Sequence, residues 1–395
     1  MAVDKELYER YKQMKAQGQN ITLAELKAQL EQERNQTSLP TSSLPYEEGM
    51  NFNASENALK IQEGCTPVKK SVSLVSTPTQ SYADNPNKTV AEESVSWAFS
   101  PTQTDTENLD ANRNEPKKFA LIGYPLGHSL SEYIHNAGFK SLGINAKYDI
   151  LETRPDQLVD RIKYLKTNGY SGFNVTIPLK LPVTMFLDEI DVSADVAHAV
   201  NTVKIDPDTK MLKGYNTDSA GFKNAIPNDI TLCGKTAGIL GTGGAARAAI
   251  TALAQSQVKE FKLFTRNVAN CIEFLEYLRK TFPAIEFNAY QIDRIRDLSD
   301  INILVNTTPI GMSGSSVGYT PVEESELITL PSDAVVYDVI YNPKKTNLIK
   351  LAQKHNYRTI NGVDMFIHQA VEAERIWTGH IPDFKDMKIA ALEEL

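Results

Sequence analysis

The chain of 395 residues lacks the features of several specialised classes of protein. It has only three cysteines, Cys65, Cys233 and Cys271, which are far apart and do not have the spacing of a metal site. No stretch approaches the roughly 18 apolar residues that a membrane span needs. Lysine and arginine total 41 against 49 aspartates and glutamates, and the resulting net charge of −8 argues against nucleic acid or an anionic membrane as a partner.

The N-terminal segment differs in composition from the rest of the chain. It begins with several acidic residues and no apolar core, so it is predicted to be neither a secretory signal nor a transit peptide, which favours a cytoplasmic protein. Residues 1–36 are predicted to form a helical arm, in which Thr22 and Glu25 have capping-box spacing. This arm is either simply exposed or a docking helix for an unidentified protein partner. Residues 37–115, rich in Ser, Thr, Pro, Asn and acids, are predicted to be a disordered linker.

After Lys118 short apolar runs alternate with helical patterns, as in "FALIGYP", "YDILET", "GFNVTIPL", "TAGILGTGG" and "INILVNTTP". Strands separated by helices of about 10–15 residues indicate βαβ units and mostly parallel sheets. The sequence therefore predicts two α/β domains, with a substrate-binding domain at 116–220 and a Rossmann-type domain at 221–359. The last helices, 360–395, are expected to pack back on the first domain.

A glycine-rich turn follows the strand "AGIL" and opens a helical run. Its pattern is G-x-G-x-x-A, in which the glycines permit a tight turn and a close approach of the backbone to a pyrophosphate. The helix N-terminus supplies free N–H groups for the phosphates. We expect a dinucleotide to contact this turn, rather than the turn being purely structural, through Gly241, Thr242, Gly243, Gly244 and Ala245.

The end of the next strand bears on the choice of cofactor. NAD-binding sites place an acid there, on the ribose 2′-hydroxyl, but this strand ends in Thr265, Arg266 and Asn267. A guanidinium at this position pairs with a 2′-phosphate, so the sequence favours NADP. The alternative is that Arg266 is an exposed strand-end residue.

Four motifs of the first domain have no obvious structural purpose: "GYPLGHSLSEYIHN", "NVTIPLK", "HAVNT" and "GYNTD". Together with "GTGGA", "TRN", "NTTPIGM" and "GVDMFIHQ" they follow the order of motifs in shikimate dehydrogenases, which the chain closely resembles over about residues 117–395. The resemblance implies reduction of 3-dehydroshikimate to shikimate with NADPH, and it implies no metal.

The resemblance also implies that Lys180 and Asp218 form the catalytic pair. Reduction of a ketone leaves a developing alkoxide that needs a proton and a nearby positive charge, and a lysine held by a carboxylate supplies both. Outside this context, Lys180 would be taken for a solvated lysine at a strand end.

The remaining site residues are likewise implied by the resemblance. Ser129 and Ser131 correspond to the hydroxyls that hold the substrate carboxylate, although Ser131 could also cap a helix. The ring hydroxyls would be bound by Thr176, Asn201 and Gln369, with Tyr341 lining the pocket. Val339 and Gly362 would lie beside the cofactor. His135, inside a helical run, is expected to be structural.

The chain departs from the family pattern at three places. Glu132 replaces a proline, and puts an acid close to the carboxylate subsite, which could weaken the affinity for anionic substrates. Ala269 and Asn270 stand where a second basic residue is often found, which could soften the preference for NADP. His198 replaces a common glycine, for which the sequence offers no physical reason.

The leading hypothesis is therefore an NADP-dependent shikimate dehydrogenase serving chorismate and aromatic amino-acid biosynthesis. One alternative is a relative that prefers quinate or uses NAD as readily. Another is a catalytically weak module whose role is interaction through the N-terminal arm.

Overall fold

A computed structural model of the protein describes residues 115–395, apart from His128 and Ser315. The predicted helical arm at 1–36, and all of the predicted linker except Glu115, lie outside the described residues. None of the helices in the described part is long and apolar enough to cross a membrane.

The first half of the described chain contributes one sheet with its helices. Its elements are β1 (Lys117–Gly123), α1 (Ser131–Ser141), β2 (Ala146–Glu152), α2 (Leu158–Thr167), β3 (Tyr170–Val175), β4 (Glu189–Ile190), α3 (Val192–Ala197), β5 (Thr202–Ile205) and β6 (Leu212–Tyr215). The strand order is β2-β1-β3-β5-β6-β4. Most neighbouring strands of this sheet are parallel, as expected, but β5 runs antiparallel to both β3 and β6. The short connection between β5 and β6 leaves no room for the crossover that a parallel pair requires.

The second half forms another six-stranded sheet. Its elements are α4 (Asp218–Asn224), β7 (Thr236–Leu240), α5 (Gly244–Gln255), β8 (Glu260–Thr265), α6 (Ile272–Thr281), β9 (Glu286–Gln291), β10 (Ile303–Asn306), α7 (Glu324–Leu327), β11 (Val335–Asp338), α8 (Asn347–Lys354), β12 (Arg358–Ile360), α9 (Gly362–Thr378) and α10 (Phe384–Glu393). All of its neighbouring strands are parallel, in the order β9-β8-β7-β10-β11-β12. This is the Rossmann arrangement, in which a dinucleotide binds at the carboxyl ends of the central strands.

Helix α9 connects the two halves of the described chain. It begins at Asn361, whose side chain accepts the N–H of Val363, and it ends at Gly379 in a left-handed conformation. It contacts α4 as well as α1, β3 and β5, and α10 packs against α1. The indole of Trp377 donates to the carbonyl of Val203 at 3.0 Å, which anchors the end of α9 on the first sheet.

The substitution of histidine for glycine at position 198 has a structural explanation. His198 ends α3 with a left-handed backbone (φ 48°), the conformation in which glycine is least strained. Its imidazole lies 4.8 Å from the ring of Tyr277 in α6, and the Tyr277 hydroxyl donates to the carbonyl of Asp195. The ring contact offsets the backbone cost and joins α3 to the second sheet's helices.

Candidate active site

A lysine and a carboxylate meet at the site where the two sheets face each other. Lys180 follows β3, and its ammonium donates to Oδ2 of Asp218, the first residue of α4. The two side chains are 17% and 9% exposed, so the pair is largely but not fully shielded from solvent. The sequence separates these residues by 38 positions, and the tertiary structure brings them into contact.

The orientation of Asp218 is set by a buried amide. Asn201 donates to Oδ1 of Asp218 at 2.8 Å and to the hydroxyl of Thr217 at 2.9 Å. Its amide oxygen accepts the N–H of Thr217 and the hydroxyl of Thr202. Protein groups thus satisfy the Asn201 amide, and a contact with a substrate hydroxyl would replace one of these bonds.

A cavity of about 840 Å³ extends from Lys180 along the second sheet. Ile177, Lys180 and Leu181 form one wall, and the glycine turn 241–245 forms the opposite wall. The two walls approach closely, because a Cβ added at Gly244 would lie 3.1 Å from Cδ of Lys180. The lysine stem therefore lies directly beside the start of α5.

The glycine turn has the local geometry of a phosphate site. Gly241 has φ +103°, and Gly243, which precedes α5, makes no side-chain cap, so the first N–H groups of the helix remain available. A Cβ on Gly243 would meet nothing within 4 Å, which leaves open space on the cavity side. Thr265 and Arg266 line the same cavity. These features fit a bound dinucleotide phosphate.

Ser129 and Ser131 lie together at the start of α1. Their hydroxyls are 3.1 Å apart, and the Ser129 oxygen accepts the N–H of Ser131 at 3.3 Å. The idea that Ser131 caps this helix is wrong, because Leu130 occupies the cap position and no side-chain cap forms. The Ser131 hydroxyl is thus not committed to a backbone cap. Glu132 is exposed in the first turn of α1, where the helix dipole stabilises a negative charge.

The other predicted substrate residues do not line the cavity beside the glycine turn. Gln369 lies on α9, which packs against α4 so closely that a Cβ added at Gly221 would lie 2.9 Å from Cβ of Gln369. Tyr341 stacks on Phe366 at 4.1 Å, and burial raises the pKa of its phenol to about 12. Thr176 follows β3, with its N–H bonded to the carbonyl of Ile122.

The predicted cofactor residues Val339 and Gly362 contact each other instead of lining that cavity. A Cβ added at Gly362 would lie 2.1 Å from the carbonyl oxygen of Val339, so only glycine allows α9 to start there. This close approach is a structural reason for the glycine.

Several residues that lie around the site were not predicted as site residues from the sequence. Thr307 and Thr308, in the quoted "NTTPIGM" motif, line the cavity, as do Asp293 and Arg296 beyond β9. Asn174 accepts the Tyr148 hydroxyl at 2.6 Å and donates to Thr202 behind the Ser131 region. An asparagine within an apolar strand could have indicated a functional role for Asn174, whereas no motif in the loop after β9 indicated that Asp293 and Arg296 line the cavity.

Comparisons with known proteins agree with this geometry. The family described as "Shikimate dehydrogenase substrate binding domain" matches residues 121–203, and "Shikimate 5′-dehydrogenase C-terminal domain" matches residues 362–392. Shikimate dehydrogenase (NADP(+)) of Halothermothrix orenii is 40% identical over 275 residues, covering 68% of this chain and 93% of the relative.

The chain belongs to the shikimate dehydrogenase family.

Solved structures of the shikimate dehydrogenase family share this fold. A shikimate dehydrogenase in complex with NADP⁺ is 37% identical with a TM-score of 0.65, over 71% of this chain and 96% of that one. The shikimate 5-dehydrogenase of Thermus thermophilus, in complex with NADP(H) and shikimate, is 30% identical with a TM-score of 0.61, over 71% of this chain and 100% of that one. The likeness covers the described part of the chain.

Proposed function

We propose that this protein reversibly reduces 3-dehydroshikimate to shikimate with NADPH, as a step of aromatic amino-acid biosynthesis. The observation that carries this proposal is the contact of Lys180 with Asp218 at the wall of a cavity that also contains the glycine turn. The names of the relatives, shikimate dehydrogenase (NADP(+)), support the choice of substrate and cofactor.

NADP(H), when bound, supplies or accepts the hydride. The residues that would hold it are the glycine turn 241–245, whose N–H groups would bind the pyrophosphate, and Thr265 and Arg266, which would bind the 2′-phosphate. Phe264 and Val322, which also line the cavity, would provide an apolar surface for the adenine.

Lys180 acts as the general acid in the direction of reduction. Its ammonium donates a proton to the substrate oxygen as negative charge develops there, and it takes the proton back in the reverse direction. Asp218 holds the ammonium in place through an ion pair that is largely shielded from water. Asn201 fixes the carboxylate through its bond to Oδ1.

The carboxylate and ring hydroxyls of the substrate would be bound by side chains around this pair. The neighbouring hydroxyls of Ser129 and Ser131 donate to the carboxylate. Thr176, Asn201 and Gln369 would bind ring hydroxyls, with Tyr341 as part of the pocket wall. In this arrangement the ketone faces Lys180.

The test compares Lys180→Ala with Lys223→Ala in a spectrophotometric assay of NADPH formation. Lys223 is an exposed lysine of α4, the helix that carries Asp218, so it controls for loss of a charge nearby. We expect Lys180→Ala to reduce kcat by at least about 100-fold with KM little changed. Turnover close to that of the wild type would remove Lys180 from the mechanism.

The same assay distinguishes the alternatives in substrate and cofactor. Shikimate and quinate are each measured with NADP⁺ and NAD⁺. Turnover confined to shikimate with NADP⁺ supports the proposal. Comparable rates with quinate or NAD⁺ would assign the protein to a broader specificity, and no turnover in any pairing would reject the activity.

A further inference from the structure

The 2′-phosphate of NADP is close to a dianion, and the segment after β8 offers it a single guanidinium. Arg266 follows Thr265 directly, but Ala269 and Asn270 occupy the positions where a second basic residue would lie. A single exposed arginine is a weak discriminator between NADP and NAD, because water and salt screen its charge. A second cation for this phosphate would have to come from another part of the fold.

The segment that follows the neighbouring strand, β9, contains a second cation, Arg296. β9 runs parallel to β8, with Thr265 opposite Gln291, so both strands finish at the same edge of the sheet. Arg296 lies five residues beyond Gln291 and lines the same cavity as Arg266. Arginines from the segments that follow two adjacent strands therefore line one cavity.

Arg296 is only loosely engaged by the protein. Its side chain is 75% exposed, and Nη1 donates to the carbonyl of Ile295 at 2.5 Å. The acid paired with it is Glu326, whose Oε1 lies 3.6 Å away. The separation of 3.6 Å is longer than a hydrogen bond and the Arg296 side chain is exposed, so the guanidinium can turn to a phosphate.

Three carboxylates, those of Asp293, Glu323 and Glu326, also line the cavity. Oε2 of Glu326 accepts the N–H of Glu323 in a capping box at the start of α7, while its Oε1 faces Arg296. Asp293 is exposed in the same segment as Arg296. A phosphate here would be attracted by two arginines, would compete with Glu326 for Arg296, and would be repelled by the three carboxylates.

We propose that Arg296 is a specificity-determining residue that binds the 2′-phosphate together with Arg266. This inference rests on the proposed NADP-dependent activity and adds a residue to it. Bidentate pairing of a guanidinium with phosphate oxygens is the interaction that would discriminate NADP from NAD.

The test replaces Arg296 by glutamine and uses Arg294→Gln as a matched control. Arg294 is exposed in the same segment but does not line the cavity. For Arg296→Gln we expect kcat/KM with NADP⁺ to fall about tenfold, since a hydrogen bond to a charged group is lost. The value with NAD⁺ should stay within about twofold, as should both values for Arg294→Gln.

A binding experiment separates this inference from the activity. Calorimetry of the full-length protein with 2′,5′-ADP and with 5′-AMP should show that Arg296→Gln weakens only the former. Asp293→Asn should strengthen the binding of 2′,5′-ADP, because it removes a repelling charge. Unchanged binding of 2′,5′-ADP by Arg296→Gln, or equal losses for both ligands, would overturn the inference. Absence of turnover by the wild type would instead reject the proposed function.

Discussion

Helices α1 and α9 share a buried acid–imidazole pair whose ionisation can be tested through stability. Glu374 and His135 are both fully buried, and His135 Nδ1 lies 2.9 Å from Glu374 Oε1. Among the described residues, Oε2 of Glu374 has no hydrogen-bond partner. Burial raises the pKa of Glu374 to about 9 and lowers the pKa of His135 to about 3, so both side chains are neutral at pH 7.

The pH dependence follows from the protons that the folded and unfolded chains bind. The carboxyl of Glu374 has a pKa of 4.5 in the unfolded chain and about 9 in the folded protein. Between these values the folded protein holds a proton that the unfolded chain has released, so stability falls as the pH rises, by about 1.4 kcal/mol per pH unit.

His135 acts in the opposite direction and over a lower range. The pKa of His135 is 6.5 in the unfolded chain and about 3 in the folded protein. Between these values the unfolded chain binds a proton that the folded protein does not, so the free energy of unfolding falls as the pH drops below 6.5. Between pH 4.5 and 6.5 the two slopes oppose each other. Above pH 6.5 the slope of Glu374 remains alone up to about pH 9.

We predict that Glu374→Gln removes the alkaline slope. Glutamine keeps the size of the side chain and a hydrogen bond to His135 but does not titrate. Between pH 6.5 and 8.5, over two pH units, the wild type should lose about 3 kcal/mol more of its free energy of unfolding than the variant does.

The assay is urea unfolding at pH 6.5, 7.5 and 8.5, followed by tryptophan fluorescence. Trp377 lies one turn beyond Glu374 and stacks on Phe119 at 4.7 Å, so it reports the transition of this region. Glu372→Gln is the control, since Glu372 pairs with Arg375 and is partly exposed on the same helix. Parallel pH profiles of the wild type and Glu374→Gln would refute the neutral pair, because they would mean that Glu374 is ionised in the folded protein.

Three further predictions concern the site and the helix that packs beside it. Gly362→Ala would bring a Cβ within 2.1 Å of the carbonyl oxygen of Val339, so we expect urea unfolding to show a free energy of unfolding lower by about 2 kcal/mol or more. The Cβ added by Gly243→Ala would have no atom within 4 Å, so this variant should keep its stability, while calorimetry should show weaker binding of NADP⁺. Asn201→Ala removes a hydrogen-bond donor to the Asp218 carboxylate. We expect kcat to fall about tenfold and the free energy of unfolding to fall by about 1–3 kcal/mol. An unchanged kcat would mean that the amide does not orient the carboxylate.

Strands that are buried on both faces could be predicted from the sequence. β7 and β10 are continuous apolar runs between turn signals, because parallel strands covered by helices need no polar side. β5 and β6 were not anticipated, since each has only four residues and carries polar side chains. Their antiparallel pairing depends on a tight connection, which has no period to detect.

The site was predictable to the extent that its residues lie in contiguous motifs. "NVTIPLK" and "GYNTD" point to Lys180 and Asp218 through the resemblance to the family, and a lysine held by a carboxylate suits the proposed proton transfer. Arg296 lies in a polar segment with no motif, and it enters the cavity only because β9 pairs with β8. Strand order, and not local sequence, decides that proximity.

The sequence by itself determined the α/β class and a glycine turn suited to a phosphate, because these depend on periodicity and on glycine at fixed spacing. The proposed catalytic residues came from the family motifs. Only the tertiary structure decided which side chains meet. It joined Lys180 to Asp218, enclosed Glu374 with His135, and brought Arg296 to the end of the cavity that contains Arg266. The physical reason is that hydrogen bonds, burial and charge depend on distances of a few ångströms, and these are set by how sheets and helices pack.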